Sequence, residues 1–189
     1  MKAYSFKSFA AKFSAVLISV LVLVGLTGCP DPESTEVIKY AYVMPVTSDD
    51  GVIEIWTSSY GETYTITTSL FSADAYAGDN LYIYYTDDEE TAGYIYMKYT
   101  SVYDWTCGQS EEPEDTTGWY NAYGYWYPTN TDLIGKWYAV SFKNLTSSSV
   151  DISGAYGTKS SCDTLNEAVQ TFTVANGYYT SYSTCTKSE

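Results

Sequence analysis

Apolar and polar positions alternate along most of the chain after residue 36, in short segments that turn residues separate. Alternation with a period of two predicts β-strands, because successive side chains of a strand point to opposite faces. Within residues 62–68, for example, Tyr64 and Ile66 fall on one face and three threonines on the other. The predicted strands are 37–44, 52–56, 62–68, 81–86, 93–100, 119–127, 136–143, 148–156, 171–175 and 178–185.

One segment, residues 164–172, has the periodicity of a helix. Thr164 is followed three residues later by Glu167, which is the pattern of a capping box at a helix N-terminus. The apolar stripe behind it consists of Leu165, Ala168, Val169 and Phe172. About eight to ten antiparallel strands with a single short helix predict an all-β barrel or sandwich.

The first 28 residues have the organisation of a bacterial export signal. Three lysines precede a twelve-residue apolar run, residues 15–26, which is shorter than the roughly 20 residues of a membrane-spanning helix. The run ends in Leu26-Thr27-Gly28-Cys29, which resembles the lipobox of bacterial lipoproteins. The resemblance implies cleavage after Gly28, lipidation of Cys29 and anchoring to a membrane of the cell envelope. Residues 29–36 then predict an extended tether, and residues 37–189 a single domain.

The charge composition excludes several classes of function. The 189 residues carry a net charge of −14, and without residues 1–28 six lysines face 23 acidic side chains. The chain has no histidine and no arginine, which excludes histidine-based catalysis, histidine-ligated metals and arginine clamps on phosphate. A body this acidic repels nucleic acid and anionic headgroups. We therefore expect no nucleic-acid partner, no cofactor and no enzymatic activity.

With Cys29 lipidated, three cysteines remain, and an oxidising compartment favours one disulfide and one free thiol among them. We favour a Cys162–Cys185 bridge, which would join the helical segment to the last strand, while Cys107–Cys185 is the alternative. The cysteine spacings contain no Cys-x-x-Cys pair, and the acidic clusters at 87–90 and 111–115 do not have the spacing of a calcium loop. No metal site is expected.

Aromatic residues are the most unusual feature, with 22 tyrosines, 5 tryptophans and 6 phenylalanines. Segments 93–100 and 119–127 are aromatic on both faces. If both faces of such a strand were exposed to water, they would form an apolar patch that promotes association. An aromatic-lined cavity or groove would cover these faces and suit sugars, lipids or peptide side chains. Tyrosines that merely pack in a barrel wall are the alternative. The candidate ligand-binding residues are Tyr96, Tyr123, Tyr125, Trp126 and Trp137.

The strand order, the late helix and the run Gly135-Lys136-Trp137-Tyr138 resemble calycin-like barrels, of which lipocalins are the best known. The resemblance implies an antiparallel up-and-down barrel of about eight to ten strands with one short accessory helix. The acidic, tyrosine-rich composition together with the lipobox is also similar to that of small lipoproteins of host-associated spirochaetes. We expect a non-enzymatic envelope lipoprotein that binds a small amphipathic ligand in a barrel lined by Tyr96, Tyr125 and Trp137. The alternative is a surface adhesin or protein-interaction module that uses exposed tyrosine and tryptophan and has no ligand cavity.

Overall fold

The computed structural model describes residues 42–104, 106–114, 117–121 and 123–188, all of which belong to one unit, Glu36–Glu189. The leader, the tether with Cys29 and residues 37–41 of the first predicted strand lie outside the described residues.

Eleven strands and one α-helix make up the described part of the chain. The strands are β1 (Met44–Pro45), β2 (Ile55–Ser58), β3 (Thr63–Ile66), β4 (Phe71–Ser72), β5 (Tyr76–Tyr85), β6 (Gly93–Val102), β7 (Gly118–Tyr120), β8 (Trp126–Pro128), β9 (Trp137–Lys143), β10 (Ser149–Gly154) and β11 (Ser183–Lys187). The helix α1 (Leu165–Thr171) lies between β10 and β11, and a single 3-10 turn, Thr131–Leu133, precedes β9.

Eight of these strands close into an antiparallel barrel. Hydrogen bonding runs in the order β2-β3-β4-β5-β6-β9-β10-β11, and β11 pairs with β2 to complete the ring. Strand β1 adds to β5 as an extra strand, and β7 and β8 form a separate hairpin inserted between β6 and β9. Within the eight-stranded ring, and apart from that insertion, each strand pairs with the next one along the chain. This meander is the architecture of a lipocalin-like barrel, which confirms the predicted fold and excludes a sandwich.

The inward face of the barrel is packed with side chains. Its buried members include Trp56, Tyr64, Ile66, Phe71, Ile83, Ile95, Met97, Tyr138, Val140, Phe142, Val150, Ile152 and Cys185. At the end where β2 begins, the indole N–H of Trp56 donates to the carbonyl of Val52 at 3.0 Å. The Tyr85 hydroxyl donates to Asp50 at 2.8 Å. The segment before β2 therefore covers this end of the barrel.

The helix explains how strand β6 is aromatic on both faces. Tyr94 and Tyr96 point outward, opposite Ser141 and Ala139 of β9, and yet they are 2% and 0% exposed. They are buried because α1 and the chain that follows it lie against β6 and β9. As predicted, the Thr164 hydroxyl caps the helix by accepting the backbone N–H of Glu167 at 3.2 Å.

The predicted strand 119–127 is wrong, because this segment folds back as the β7–β8 hairpin. The side-chain oxygen of Asn121 accepts the backbone N–H groups of Tyr123 and Tyr125, both at 2.9 Å. Gly124 completes the turn with a φ of 79°, in the left-handed region that glycine adopts most readily. A turn stabilised by side-chain hydrogen bonds thus interrupts the alternating pattern.

The predicted strand 171–175 is also wrong, since these residues end the helix and turn. The Asn176 amide donates to the carbonyls of Gln170 and Thr171 at 2.8 and 3.0 Å, and so satisfies acceptors at the helix C-terminus. The two-residue strand β4 was not predicted, because two residues are too short to show alternation.

Candidate ligand-binding site

An aromatic pocket opens at the barrel end opposite the covered one. It has a volume of about 490 Å³ and lies where β5 and β9 begin and β6 and β10 end. Five tyrosines line it: Tyr76, Tyr99, Tyr103, Tyr138 and Tyr156. We call this site the mouth pocket. Its volume falls within the range of about 300–1,000 Å³ that is typical of small-molecule sites.

Three of these tyrosines form a packed floor. The rings of Tyr99 and Tyr138 are nearly parallel, with centroids 4.9 Å apart and planes inclined by 23°. Tyr76 stands edge-on to both, with interplanar angles of 86° and 76°. The Tyr138 hydroxyl donates to the carbonyl of Ala155 at 2.9 Å. Edge-to-face and offset-parallel pairs are the favoured aromatic arrangements, so the floor is held in one geometry.

Gly154 makes room for the hydroxyls of this floor. A Cβ atom at this position would lie 2.7 Å from the Tyr138 hydroxyl and 3.2 Å from that of Tyr76. Because Gly154 has no side chain, the hydroxyls of Tyr138 and Tyr76 can lie close to β10 at this position.

The half-buried carboxyl of Glu62 lies near the tyrosine floor and interacts electrostatically with Tyr76 and Tyr138. Burial raises the pKa of Glu62, and the Tyr64 hydroxyl, which donates to that carboxyl, partly opposes the shift. Burial also raises the pKa of Tyr76, Tyr99 and Tyr138. These phenols therefore remain protonated at neutral pH, and their rings present neutral π-faces.

Polar side chains surround the tyrosines at the rim of the mouth pocket. They are Asp104, Thr106, Asn130, Lys159 and Ser160. Asp104 accepts the backbone N–H and the hydroxyl of Thr106 at 2.9 and 2.6 Å. The Thr106 hydroxyl, followed by its amide, lowers the pKa of Asp104, so this carboxylate is ionised at pH 7. The combination of apolar floor and polar rim suits an amphipathic molecule.

The structure does not bring the five predicted binding residues together. Tyr96 and Trp137 lie on the outer face of the barrel wall and are buried there, the latter with the Lys98 ammonium 5.2 Å from its ring centroid. Among the described residues, the Tyr96 hydroxyl is the one buried side-chain polar atom without a hydrogen-bond partner.

The other three predicted binding residues belong to the hairpin. Tyr123 and Tyr125 are 88% and 52% exposed in its turn, whereas Trp126 is 1% exposed and packs against Gly118. The predicted cavity lined by Tyr96, Tyr125 and Trp137 is thus absent, because two of them face out of the barrel wall and one lies in the turn.

The five tyrosines of the mouth pocket were not among the predicted binding residues. One signal was present, since in a meander the end of one strand and the start of the next lie at the same end of the sheet. Tyr76 is the first residue of β5, and Tyr138 is the second residue of β9. Tyr99 lies near the end of β6, and Tyr103 directly follows that strand. Among 22 tyrosines, however, that signal is visible only when the strand bounds are known.

Cys162 and Cys185 do not form the predicted disulfide, and Cys107 is also a free thiol. Cys162 pairs with Trp137 and so shares its outer face of the wall, whereas Cys185 pairs with Val150 on the inward face. The two sulfurs are therefore on opposite sides of the sheet. Burial raises the pKa of both thiols, that of Cys185 to about 11.

This arrangement predicts the thiol reactivity of a Cys29→Ser protein. Cys107 is exposed and should react with Ellman's reagent at once, whereas the two buried thiols should react at least about a hundredfold more slowly because the structure around each of them must open first. Unfolding in guanidinium should release three thiols in total. A single thiol in the unfolded protein would instead demonstrate one disulfide, and rapid labelling of Cys107 in the folded protein would then assign it to Cys162–Cys185.

Two further features of the described residues bear on function. No group of three or more His, Cys, Asp or Glu side chains in this part of the chain is arranged to hold a metal ion. Within the same residues, no helix has the length and apolar character needed to cross a membrane.

No protein-family model matches the chain, and no curated protein or solved structure matches it significantly. Function therefore has to be argued from the geometry of the barrel itself.

Proposed function

We propose that this protein is a non-enzymatic lipoprotein of the bacterial cell envelope whose barrel binds a small amphipathic ligand in the mouth pocket. The observation that carries the proposal is the pocket of about 490 Å³ lined by five tyrosines. Tyrosine offers an apolar ring and a polar hydroxyl on one side chain, so it accommodates molecules that have both kinds of surface. The lipobox supports anchoring through Cys29, and the lipid would hold the barrel at the membrane surface.

The pocket can be tested with two matched variants. Tyr156 and Tyr123 are 84% and 88% exposed, so replacing either by alanine should leave the fold intact, but only Tyr156 lines the mouth pocket. With the neutral amphipathic dye Nile red as probe, Tyr156→Ala should weaken binding about fivefold, since an aromatic contact contributes about 1 kcal/mol. Tyr123→Ala should leave the dissociation constant unchanged.

A fluorescence titration of both variants and the parent, each with Cys29→Ser, measures this difference. Native mass spectrometry of the same parent protein adds a test that assumes no probe, because a mass lost on denaturation identifies a co-purified ligand. Equal dye affinity in the parent and Tyr156→Ala, together with a bare protein mass, would contradict ligand binding at the mouth.

The hairpin supports a second candidate function, a protein-interaction module. Tyr120, Tyr123 and Tyr125 are 46%, 88% and 52% exposed at one tip. Tyrosines of this kind supply much contact area at low conformational cost in protein interfaces. If this function is correct, Tyr123→Ala weakens partner capture on intact cells and Tyr156→Ala does not. The ligand-binding proposal expects the opposite, because there only Tyr156→Ala weakens binding.

A further inference from the structure

The mouth pocket contains one carboxylate whose charge is not neutralised by a cation. Asp104 takes part in no salt bridge within the described part of the chain. Within the same residues, its side-chain oxygens accept from the amide and hydroxyl of Thr106 and, at 3.4 Å, from the thiol of Cys107. The other charged side chain of the lining, Lys159, donates to the Glu167 carboxylate and so brings its own counter-charge. The net charge at the rim is therefore negative.

No described lysine is free to bind an anion at this site. Three of the five pair with carboxylates: Lys136 with Asp163, Lys159 with Glu167 and Lys187 with Glu54. The other two lie over aromatic rings: Lys98 over Trp137 and Lys143 over Tyr182. The sequence contains no arginine or histidine. An anionic ligand would thus meet repulsion from Asp104 and no unpaired cation among the described residues.

The tyrosine rings complement a cation. The face of an aromatic ring is negative, and a cation within about 6 Å of the ring centroid is attracted to it, more strongly when both are desolvated. Tyr76 and Tyr103 are partly exposed on the pocket side, and Tyr156 is almost fully exposed at its edge. Protonated phenols provide this attraction at neutral pH without a formal charge of their own, and Asp104 adds a full charge beside them.

Resting on the proposed ligand-binding function, we infer that the mouth pocket selects ligands with a quaternary ammonium or alkylammonium group. The cation lies against the tyrosine rings beside Asp104, and the rest of the ligand contacts the apolar part of the lining. The net charge of −14 also attracts such molecules from a distance. The recognised group is the same in a free amine and in a choline lipid headgroup.

The test compares choline with its neutral isostere 3,3-dimethylbutan-1-ol, which has the same shape without the charge. Calorimetric titration of the Cys29→Ser protein should show choline binding about tenfold more tightly than the alcohol, the range expected for a cation over aromatic faces. Asp104→Asn should remove most of this preference. Asp88→Asn is the matched control, since it changes the net charge equally on an exposed loop at the opposite end of the barrel.

The outcomes separate this inference from the proposed function. Equal affinity for the two probes, or binding of neither, overturns the cation preference, while Nile red binding that Tyr156→Ala weakens still supports a ligand site. Loss of preference in Asp88→Asn as well as in Asp104→Asn also overturns it, because the effect then belongs to overall charge. If the preference holds, phosphatidylcholine vesicles are added to the choline-bound protein. Displacement of choline by the vesicles assigns the cation to a lipid headgroup, and its retention assigns the cation to a free molecule.

Discussion

Gly93→Ala is expected to lower the free energy of unfolding by about 3 kcal/mol, the upper end of the usual range for overpacking. A Cβ atom at Gly93 would lie 2.3 Å from the backbone carbonyl oxygen of Tyr84 and 2.9 Å from the ring of Phe142. The carbonyl belongs to β5, which pairs with β6 at this point, so it cannot move without disturbing the ladder. The ring of Phe142 is itself 1% exposed in the core.

Urea unfolding followed by circular dichroism measures this effect on the Cys29→Ser protein. Gly51→Ala is the control, because its new Cβ would meet only Leu145, at 3.5 Å, an ordinary van der Waals distance. That variant should keep the stability of the parent or gain up to about 1 kcal/mol from a less flexible unfolded chain. A Gly93→Ala protein as stable as the Gly51→Ala protein would contradict this prediction. It would show that β5 and β6 can move apart at this end with little loss of stability.

Cys29→Ser is expected to transfer the protein from the membrane fraction to the soluble fraction almost completely. Each buried methylene of an acyl chain contributes about 0.8 kcal/mol, so the loss of several chains removes an effectively permanent anchor. The lipobox Leu26-Thr27-Gly28-Cys29 motivates this prediction, and Cys29 itself lies outside the described residues.

Fractionation of cells and mass spectrometry of the purified protein measure the change. Cys107→Ser is the matched control, since it removes an exposed thiol of the barrel and should leave the protein at the membrane with its lipid mass. A Cys29→Ser protein that remains membrane-bound, or a parent protein without lipid mass, would refute the lipoprotein assignment.

Much of the barrel could be predicted because its signals are local. In residues 62–68, alternation located β3, and Tyr64 and Ile66 are buried on the inward face as their pattern implies. The capping box at Thr164 located the helix, since its hydrogen bond joins residues only three apart. The hairpin was missed because Asn121 acts through its side chain, which an apolar-polar pattern does not record.

The site could not be predicted in the same way, because alternation separates two faces of a strand without saying what covers each. Tyr96 was assigned to a ligand cavity, and its face is instead covered by the helical segment some 70 residues later in the chain. A Cys162–Cys185 bridge was favoured because it would join the helical segment to the last strand, but the barrel wall lies between the two sulfurs.

The sequence by itself determined the β-rich class, the capped helix and the acidic charge, because each follows from neighbouring residues or from composition, whereas the meander order was implied by the resemblance to calycin-like barrels. Only the tertiary structure decided which tyrosines share a pocket. Tyr76, Tyr99 and Tyr138 lie at or near ends of β5, β6 and β9, and they meet because these three strands pair side by side and bring those ends to one mouth. The β6–β9 pairing joins residues about 40 to 50 positions apart across the inserted hairpin, and the β11–β2 pairing that closes the ring joins residues more than a hundred positions apart, so no local pattern encodes either contact.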